Sequence, residues 1–201
     1  MKYYLIKTSL FKFITMSNLG KIELLILDVD GVLTDGTKVY NQNHEVLSKR
    51  FVCKDFTAIK RLTATGIKVI MLSGDNFNRK MAEKRNIDFY CTRDKNLTLD
   101  KSLFLDDFEK KYNVSRESMS FVGDDYFDLS MFVNLKYTFC PSDSPEIIKN
   151  ESLHVLNSKG GDGVLVELYD FLKLSGFIED ADEKIVFELD SKEITSKEMK
   201  Q

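Results

Sequence analysis

No apolar run in the chain is long enough to span a bilayer, no proline- or serine-rich stretch separates two halves, and no segment repeats. The first absence excludes a membrane-spanning helix. The other two leave a single main domain as the simplest organisation, and 201 residues suffice for it to bury a sizeable core. Long basic stretches are also missing and the formal net charge is -3, so neither nucleic acid nor an anionic membrane is the expected partner. Cysteine is sparse: Cys53, Cys91 and Cys140 lie far apart, at spacings that suit no metal centre. They are expected as buried free thiols in a reducing cytoplasm. The two histidines, His44 in a turn and His154 in a short strand, are expected to be structural or solvated rather than catalytic. The first residues are apolar but broken by Lys7 and Lys12 and lack a small-residue cleavage site, so no signal peptide is expected. Met16 is the expected start. Residues 1–19 read as an N-terminal extension, 20–178 as the domain and 179–201 as a charged tail, either disordered or docking on another subunit.

Leu24-Leu25-Ile26-Leu27 runs straight into Asp28-Val29-Asp30-Gly31-Val32-Leu33-Thr34-Asp35-Gly36. A short, wholly apolar run reads as a parallel strand buried on both faces. The carboxyl end of such a strand is where open α/β sheets place ligands. Two carboxylates there are costly unless something compensates them. A divalent cation such as Mg2+, which prefers a few carboxylates plus phosphate and water, would do so. An EF-hand loop fails on register, because Val32 stands where a ligand is needed and Leu33 where glycine is needed.

Thr37–Tyr40 and Val46–Val52 flank a polar turn and predict a hairpin. Asp55 is placed to cap a helix running to about Thr65, with Phe56, Ile59 and Leu62 on its apolar side. Further strands are expected at Ile67–Leu72, Ile87–Cys91, Ser120–Val122, Tyr137–Cys140 and, at an edge, Leu153–Leu156. Helices are expected over Phe77–Arg85, Leu99–Tyr112 with Leu103, Phe104 and Phe108 inward, from about Phe127, over Glu146–Lys149 and over Val164–Leu174. Gly160-Gly161-Asp162-Gly163 reads as a flexible loop. The alternation predicts an α/β fold, a three-layer Rossmann-like parallel sheet with right-handed crossovers.

Four elements then fall at strand tips: Asp28 with Asp30; Ser73; a lysine near the start of the helix after Cys91, best Lys101; and Asp124, Asp125 and Asp128. Phosphoryl transfer needs such groups: an in-line nucleophile, a cation to offset phosphate charge, and donors around the equatorial oxygens. A carboxylate can carry the phosphoryl group as an acyl phosphate. A second carboxyl two residues on can protonate the leaving oxygen and then activate water.

These residues resemble the haloacid dehalogenase superfamily of phosphatases. Its Asp-x-Asp-x-(Thr or Val) motif is matched by Asp28, Asp30 and Val32, its strand-ending Ser or Thr by Ser73, and its acidic motif by Gly123-Asp124-Asp125-Tyr126-Phe127-Asp128. The resemblance covers roughly Ile22 to Asp128. It implies Asp28 as nucleophile and Asp30 as general acid/base. It implies Mg2+ held by the Asp28 carboxylate, the Asp30 carbonyl and Asp124, with Asp125 and Asp128 as outer or alternative ligands. Ser73 and the Gly74 amide would hold the phosphoryl oxygens and Lys101 would neutralise them, with Lys95 the rival for the lysine role.

The intervals between motifs leave no room for a cap domain, so a capless member is expected. Within the superfamily the chain is most similar to the 3-deoxy-manno-octulosonate 8-phosphate phosphatases and the phosphatase domains attached to acylneuraminate cytidylyltransferases. The shared stretches are Leu27 to Gly36, the hairpin to Phe51, Asp55, Phe121 to Asp125, and Gly160 to Gly163 with Glu167. That resemblance implies a homotetramer through the hairpins. Three basic positions are lost, however. Asp75 follows Ser73-Gly74 in place of arginine, Asp162 interrupts a Gly-Gly-Arg-Gly pattern, and Val166 stands at another common arginine; Lys54-Asp55-Phe56 also replaces Arg-Asp-Gly. Arginine is the preferred bidentate partner of a sugar-acid carboxylate, which argues against the octulosonate as sole substrate. The expected activity is Mg2+-dependent hydrolysis of a small sugar or sugar-acid phosphate. The alternatives are a non-catalytic partner of a nucleotide-sugar synthetase and a phosphotransferase.

Overall fold

The computed structural model describes residues 20–94 and 100–198. The expected extension over 1–19, the start at Met16 and the rival Lys95 lie outside the described residues. Six parallel strands form the main sheet: β1 (Leu24–Leu27), β4 (Lys68–Ser73), β5 (Asp88–Cys91), β6 (Met119–Val122), β7 (Tyr137–Cys140) and β8 (His154–Val155). Their spatial order is β5-β4-β1-β6-β7-β8. After β1 the chain moves outward through β4 and β5, then returns to the other side of β1 at β6. β1 therefore borders the point where strand order reverses, and a crevice opens at its carboxyl end. In register, Leu27 pairs with Met71 and with Val122, which brings the three strand tips level.

The aliphatic run of β1 is buried on both faces, as its composition requires. Leu25 and Leu27 join a cluster containing Phe56, Ile59 and Leu62 of α1 (Cys53–Ala64), Ala82 of α2 (Arg79–Glu83), and Leu165, Leu168 and Leu172 of α6 (Val164–Leu174). Leu24 and Ile26 face the opposite cluster, with Leu105 and Phe108 of α3 (Leu105–Tyr112), Met131 and Phe132 of α4 (Leu129–Asn134), and Ile148 of α5 (Glu146–Glu151). The period-2 alternation of a strand thus divides one run between two helical layers. Burying each such side chain contributes about 1.5–3 kcal/mol. The architecture is the three-layer α/β fold that the alternation implies.

Between β1 and β4 lie only the hairpin β2 (Val39–Tyr40) and β3 (Val46–Ser48), which is shorter than its apolar pattern suggests, and α1. Four other details depart from the sequence expectations. Asp55 does not cap its own helix; its Oδ1 accepts from the amides of Leu165 and Val166 at 2.8 and 3.3 Å, at the start of α6. The segment Lys101–Phe104 is a 3-10 turn, whose tighter rotation leaves Leu103 59% exposed instead of inward. Cys53 is exposed, while Cys91 and Cys140 are buried. The loop Gly160–Gly163 packs against the turn after β1, with the Gly161 amide donating to the Val32 carbonyl at 2.9 Å.

The charged tail forms a helix, α7 (Glu183–Glu198), which lies against α1 of its own chain. Val186 is buried in the shared core. Lys60 pairs with Asp190 and Glu193 at 2.5 and 2.6 Å, and Arg61 pairs with Glu183 at 2.7 Å. Among the described residues, no helix is long and apolar enough to cross a membrane.

Candidate active site

The tips of β1, β4, β5 and β6 enclose a cavity of about 300 Å3. Asp28, Asp30, Ser73, Gly74, Lys101, Asp124, Asp125 and Asp128 all line it, so the structure assembles every site residue expected from the sequence in one place.

Asp28 follows the last residue of β1, and its amide donates to the Val122 carbonyl at 2.9 Å, which continues the strand pairing and fixes its direction. Its side chain is nearly buried and meets Lys101 Nζ at 3.0 Å. Lys101 opens the 3-10 turn after Asp100, whose side chain caps it through the Ser102 amide. The Lys101 ammonium also meets Asp128 Oδ1 at 2.5 Å. Burial disfavours that ammonium, but the Asp28 and Asp128 carboxylates outweigh it and hold its pKa above the ordinary lysine value. Asp128 itself is fully buried, and its Oδ2 accepts from the amides of Asp124 and Asp125 at 2.9 and 3.2 Å. Asp125 is exposed and caps the Tyr126–Asp128 turn, where Asp128 returns the bond as a capping box.

Two carboxylates thus meet one ammonium, and a third, that of Asp124, stands beside them. Oxygens of Asp28, Asp124 and Asp128 lie within 4.8 Å of one another. Burial, opposed by Lys101 and reinforced by Asp128, pushes Asp28 up to about 7. Burial and the charges of Asp28 and Asp128 push Asp124 up to about 9. Asp124 Oδ1 is buried without a hydrogen-bond donor. An all-oxygen set with excess negative charge and an orphaned acceptor fits a hard divalent cation. Gly31, at φ +87°, makes room for the Asp124 carboxylate: a Cβ there would stand 1.9 Å from Asp124 Oδ2.

The Asp30 side chain turns away from this cluster. Both its oxygens accept from Lys49 Nζ, at 2.8 and 2.7 Å. The Lys49 side chain is fully buried and also meets Asp75 Oδ2 at 2.8 Å. Lys38 reaches the same Asp75 oxygen at 2.7 Å. Burial alone would raise Asp75, but the two lysines hold it well below the usual carboxylate range. Lys49 and Lys38 escaped the sequence reading. Only their place on the strands leading into and out of the hairpin could have drawn attention to them.

Ser73 ends β4, is buried, and accepts from the Asp75 amide at 3.1 Å, which orients its hydroxyl at the crevice. Of the positions that depart from the resembling families, Asp75 lines the cavity, whereas Lys54, Asp162 and Val166 do not. The histidines lie elsewhere: His154 stacks on Phe171 at 4.1 Å, and His44 sits in the hairpin turn.

The model of the haloacid dehalogenase-like hydrolase family matches residues 95–168. The 3-deoxy-D-manno-octulosonate 8-phosphate phosphatase of Haemophilus influenzae is 34% identical over 157 residues, which cover 77% of this chain and 84% of the relative. A cobalt-bound structure of the Haemophilus influenzae phosphatase superposes with a TM-score of 0.70 at 33% identity, over 78% of this chain and 90% of that one. The Moraxella catarrhalis phosphatase, solved with magnesium, phosphate and a KDO molecule, shares the fold at a TM-score of 0.68 and 23% identity, over 77% of this chain and 87% of that one. With that extent of shared sequence on a shared sheet, the chain belongs to the 3-deoxy-D-manno-octulosonate 8-phosphate phosphatase family of haloacid dehalogenase-like hydrolases.

Proposed function

We propose that the protein is a Mg2+-dependent phosphatase that hydrolyses a sugar or sugar-acid phosphate through an aspartyl-phosphate. The observation that carries this reading is the cluster of Asp28, Asp124 and Asp128 at the strand tips, two of them paired with Lys101. Asp28 and Asp124, with Asp128 and the Asp30 carbonyl, would hold the metal. When bound, Mg2+ keeps the buried carboxylates ionised and offsets the charge on the phosphoryl oxygens.

The Asp28 carboxylate attacks phosphorus, and the bond from phosphorus to the sugar oxygen breaks. Asp30 gives its proton to that leaving oxygen. Asp30 then takes a proton from water as the water oxygen attacks the aspartyl-phosphate, which releases inorganic phosphate and restores the Asp28 carboxylate. The Ser73 hydroxyl, the Gly74 amide and the Lys101 ammonium hold the non-bridging oxygens throughout. Lys49, bonded to both Asp30 oxygens, keeps that side chain aimed at one place during both proton transfers.

The same reading includes a homotetramer assembled through the hairpin, whose Val39, Tyr40 and Leu47 are exposed, and a cytoplasmic location that suits three free thiols. The testing experiment is Mg2+-dependent phosphate release from p-nitrophenyl phosphate and from a panel of sugar and sugar-acid phosphates. Release that stops with chelator and in Asp28→Asn supports the reading. No release from any of them overturns it.

A further inference from the structure

Six carboxylates line the cavity against three cations, Lys38, Arg93 and Lys101. Two of the cations are committed: Lys101 to Asp28 and Asp128, and Lys38 to Asp75. Arg93 is not. It lies two residues past the end of β5 and is exposed, and among the described residues no carboxylate lies within ion-pair distance of its guanidinium. A Cβ on Gly74 would stand 3.9 Å from Arg93 Nε, so the guanidinium stem passes beside the backbone assigned to the phosphoryl oxygens.

The two flanks of the crevice therefore differ: the hairpin side sets Lys38 and Lys49 against Asp75 and Asp30, whereas the cation on the β5 side has no carboxylate partner among the described residues. On the hairpin side Asp75, held ionised by two lysines, accepts hydroxyl donors and repels a carboxylate. On the β5 side Arg93 offers a planar fork that pairs with a carboxylate through two parallel bonds. We propose that Arg93 determines specificity by binding a carboxylate carried by the sugar-phosphate substrate, and so supplies from the β5 tip the cation that position 75 lacks. The proposal rests on the phosphatase reading and adds where the acid end of the substrate lies.

The test compares kcat/KM for 3-deoxy-manno-octulosonate 8-phosphate, which carries a carboxylate, with that for ribose 5-phosphate, which does not. The native chain favours the acid. Arg93→Ala lowers the acid-to-neutral ratio by about tenfold or more, the scale of one charge-assisted pair, with the loss in KM rather than kcat. Arg93→Lys recovers part of the ratio and Arg93→Glu drops it further. A ratio that Arg93→Ala leaves unchanged overturns the proposal, because the guanidinium then serves the phosphoryl group or neither end. Phosphate release from neither substrate by the native chain overturns the phosphatase reading and this proposal with it.

Discussion

Lys49 sets its ammonium 2.7 Å from Asp30 Oδ2, at the end of a side chain that is fully buried. The two residues are 19 apart in sequence, with the hairpin between them. Asn78 adds a weaker contact to the same carboxylate at 3.4 Å. Thr34, in the same loop, donates to Asp30 Oδ1 at 3.4 Å, but the short bonds to Asp30 come from outside that loop, from a group that neither the first motif nor the second contains.

Replacing Lys49 by methionine keeps the buried stem and removes the ammonium. Asp30 then loses its main anchor and swings toward solvent. We expect kcat on p-nitrophenyl phosphate to fall about tenfold to a hundredfold, the cost of misplacing a proton donor, with KM changed less. Far-ultraviolet circular dichroism checks that the fold survives. A kcat within about twofold of the native value would show that Asp30 keeps its place without Lys49.

The two aspartates of the first motif have separate assignments and should fail differently. Asp28→Asn removes the nucleophile and brings turnover to background. Asp30→Asn keeps shape and volume but neither donates to the leaving oxygen nor activates water. Its turnover should fall about a hundredfold or more. Acid-quenched samples should contain protein-bound phosphate in the native chain and none in Asp28→Asn. Phosphate bound to Asp28→Asn would place the nucleophile elsewhere.

The pH dependence of stability follows from the raised carboxylates. Burial lifts Asp28 to about 7 and Asp124 to about 9, against 3.8 for an ordinary aspartate. In the metal-free folded chain these groups keep protons that the unfolded chain has released. Their contribution to stability is complete below the unfolded pKa and disappears as pH rises through about 7 and then about 9. Mg2+ displaces those protons, so its stabilising effect grows with pH. The Tm gain from added Mg2+ should be larger at about pH 8 than at about pH 6, and addition near neutrality should release protons. Equal gains at both values would mean that the carboxylates are already ionised without the metal.

The centre of the sheet was legible because its strands are buried on both faces. The run at Leu24–Leu27 is apolar from end to end, that at Tyr137–Cys140 is broken only by the buried Thr138, and the boundaries of both match the structure. The gathering of Asp28, Ser73 and Asp124 in one crevice was legible because each lies at the end of such a run and parallel pairing aligns the ends, whereas Lys101 reaches it from a 3-10 turn. The turns were harder. A 3-10 segment at Lys101–Phe104 shares the apolar spacing of a helix start but rotates each residue further, which carried Leu103 to the surface. Long-range polar partners were hidden for another reason. Asp55 binds amides 110 residues away, and nothing local distinguishes that from a cap on its own helix. Lys49 likewise reads as one more lysine until the hairpin folds over the crevice.

Gly160 offers a test of how the far end of the chain supports the site. A Cβ there would meet the Gly31 carbonyl oxygen at 2.1 Å, a backbone atom that cannot rotate aside. Gly160→Ala must push the Gly160–Gly163 loop off the Asp30–Gly31 turn or distort that turn. We expect a loss of about 1–3 kcal/mol in stability, and reduced turnover in the fraction that stays folded. Asp162→Ala, at an exposed position in the same loop, should stay within about 0.5 kcal/mol. Equal Tm values for Gly160→Ala and the native chain would mean that the contact yields without cost.

The hairpin carries the assembly prediction. Val39, Tyr40 and Leu47 are 57%, 51% and 59% exposed on strands of two and three residues, which among the described residues pair only with each other. Short strands with apolar faces and open edges invite pairing with another copy. Light scattering of the native chain should give the mass of four chains. Leu47→Lys with Val39→Lys should lower it by adding like charges where the copies would meet, and the sheet, whose core excludes these residues, should keep its fold. A native mass equal to one chain would show that the hairpin serves only to carry Lys38 and Lys49 to the crevice, and the added charges would then leave the mass unchanged.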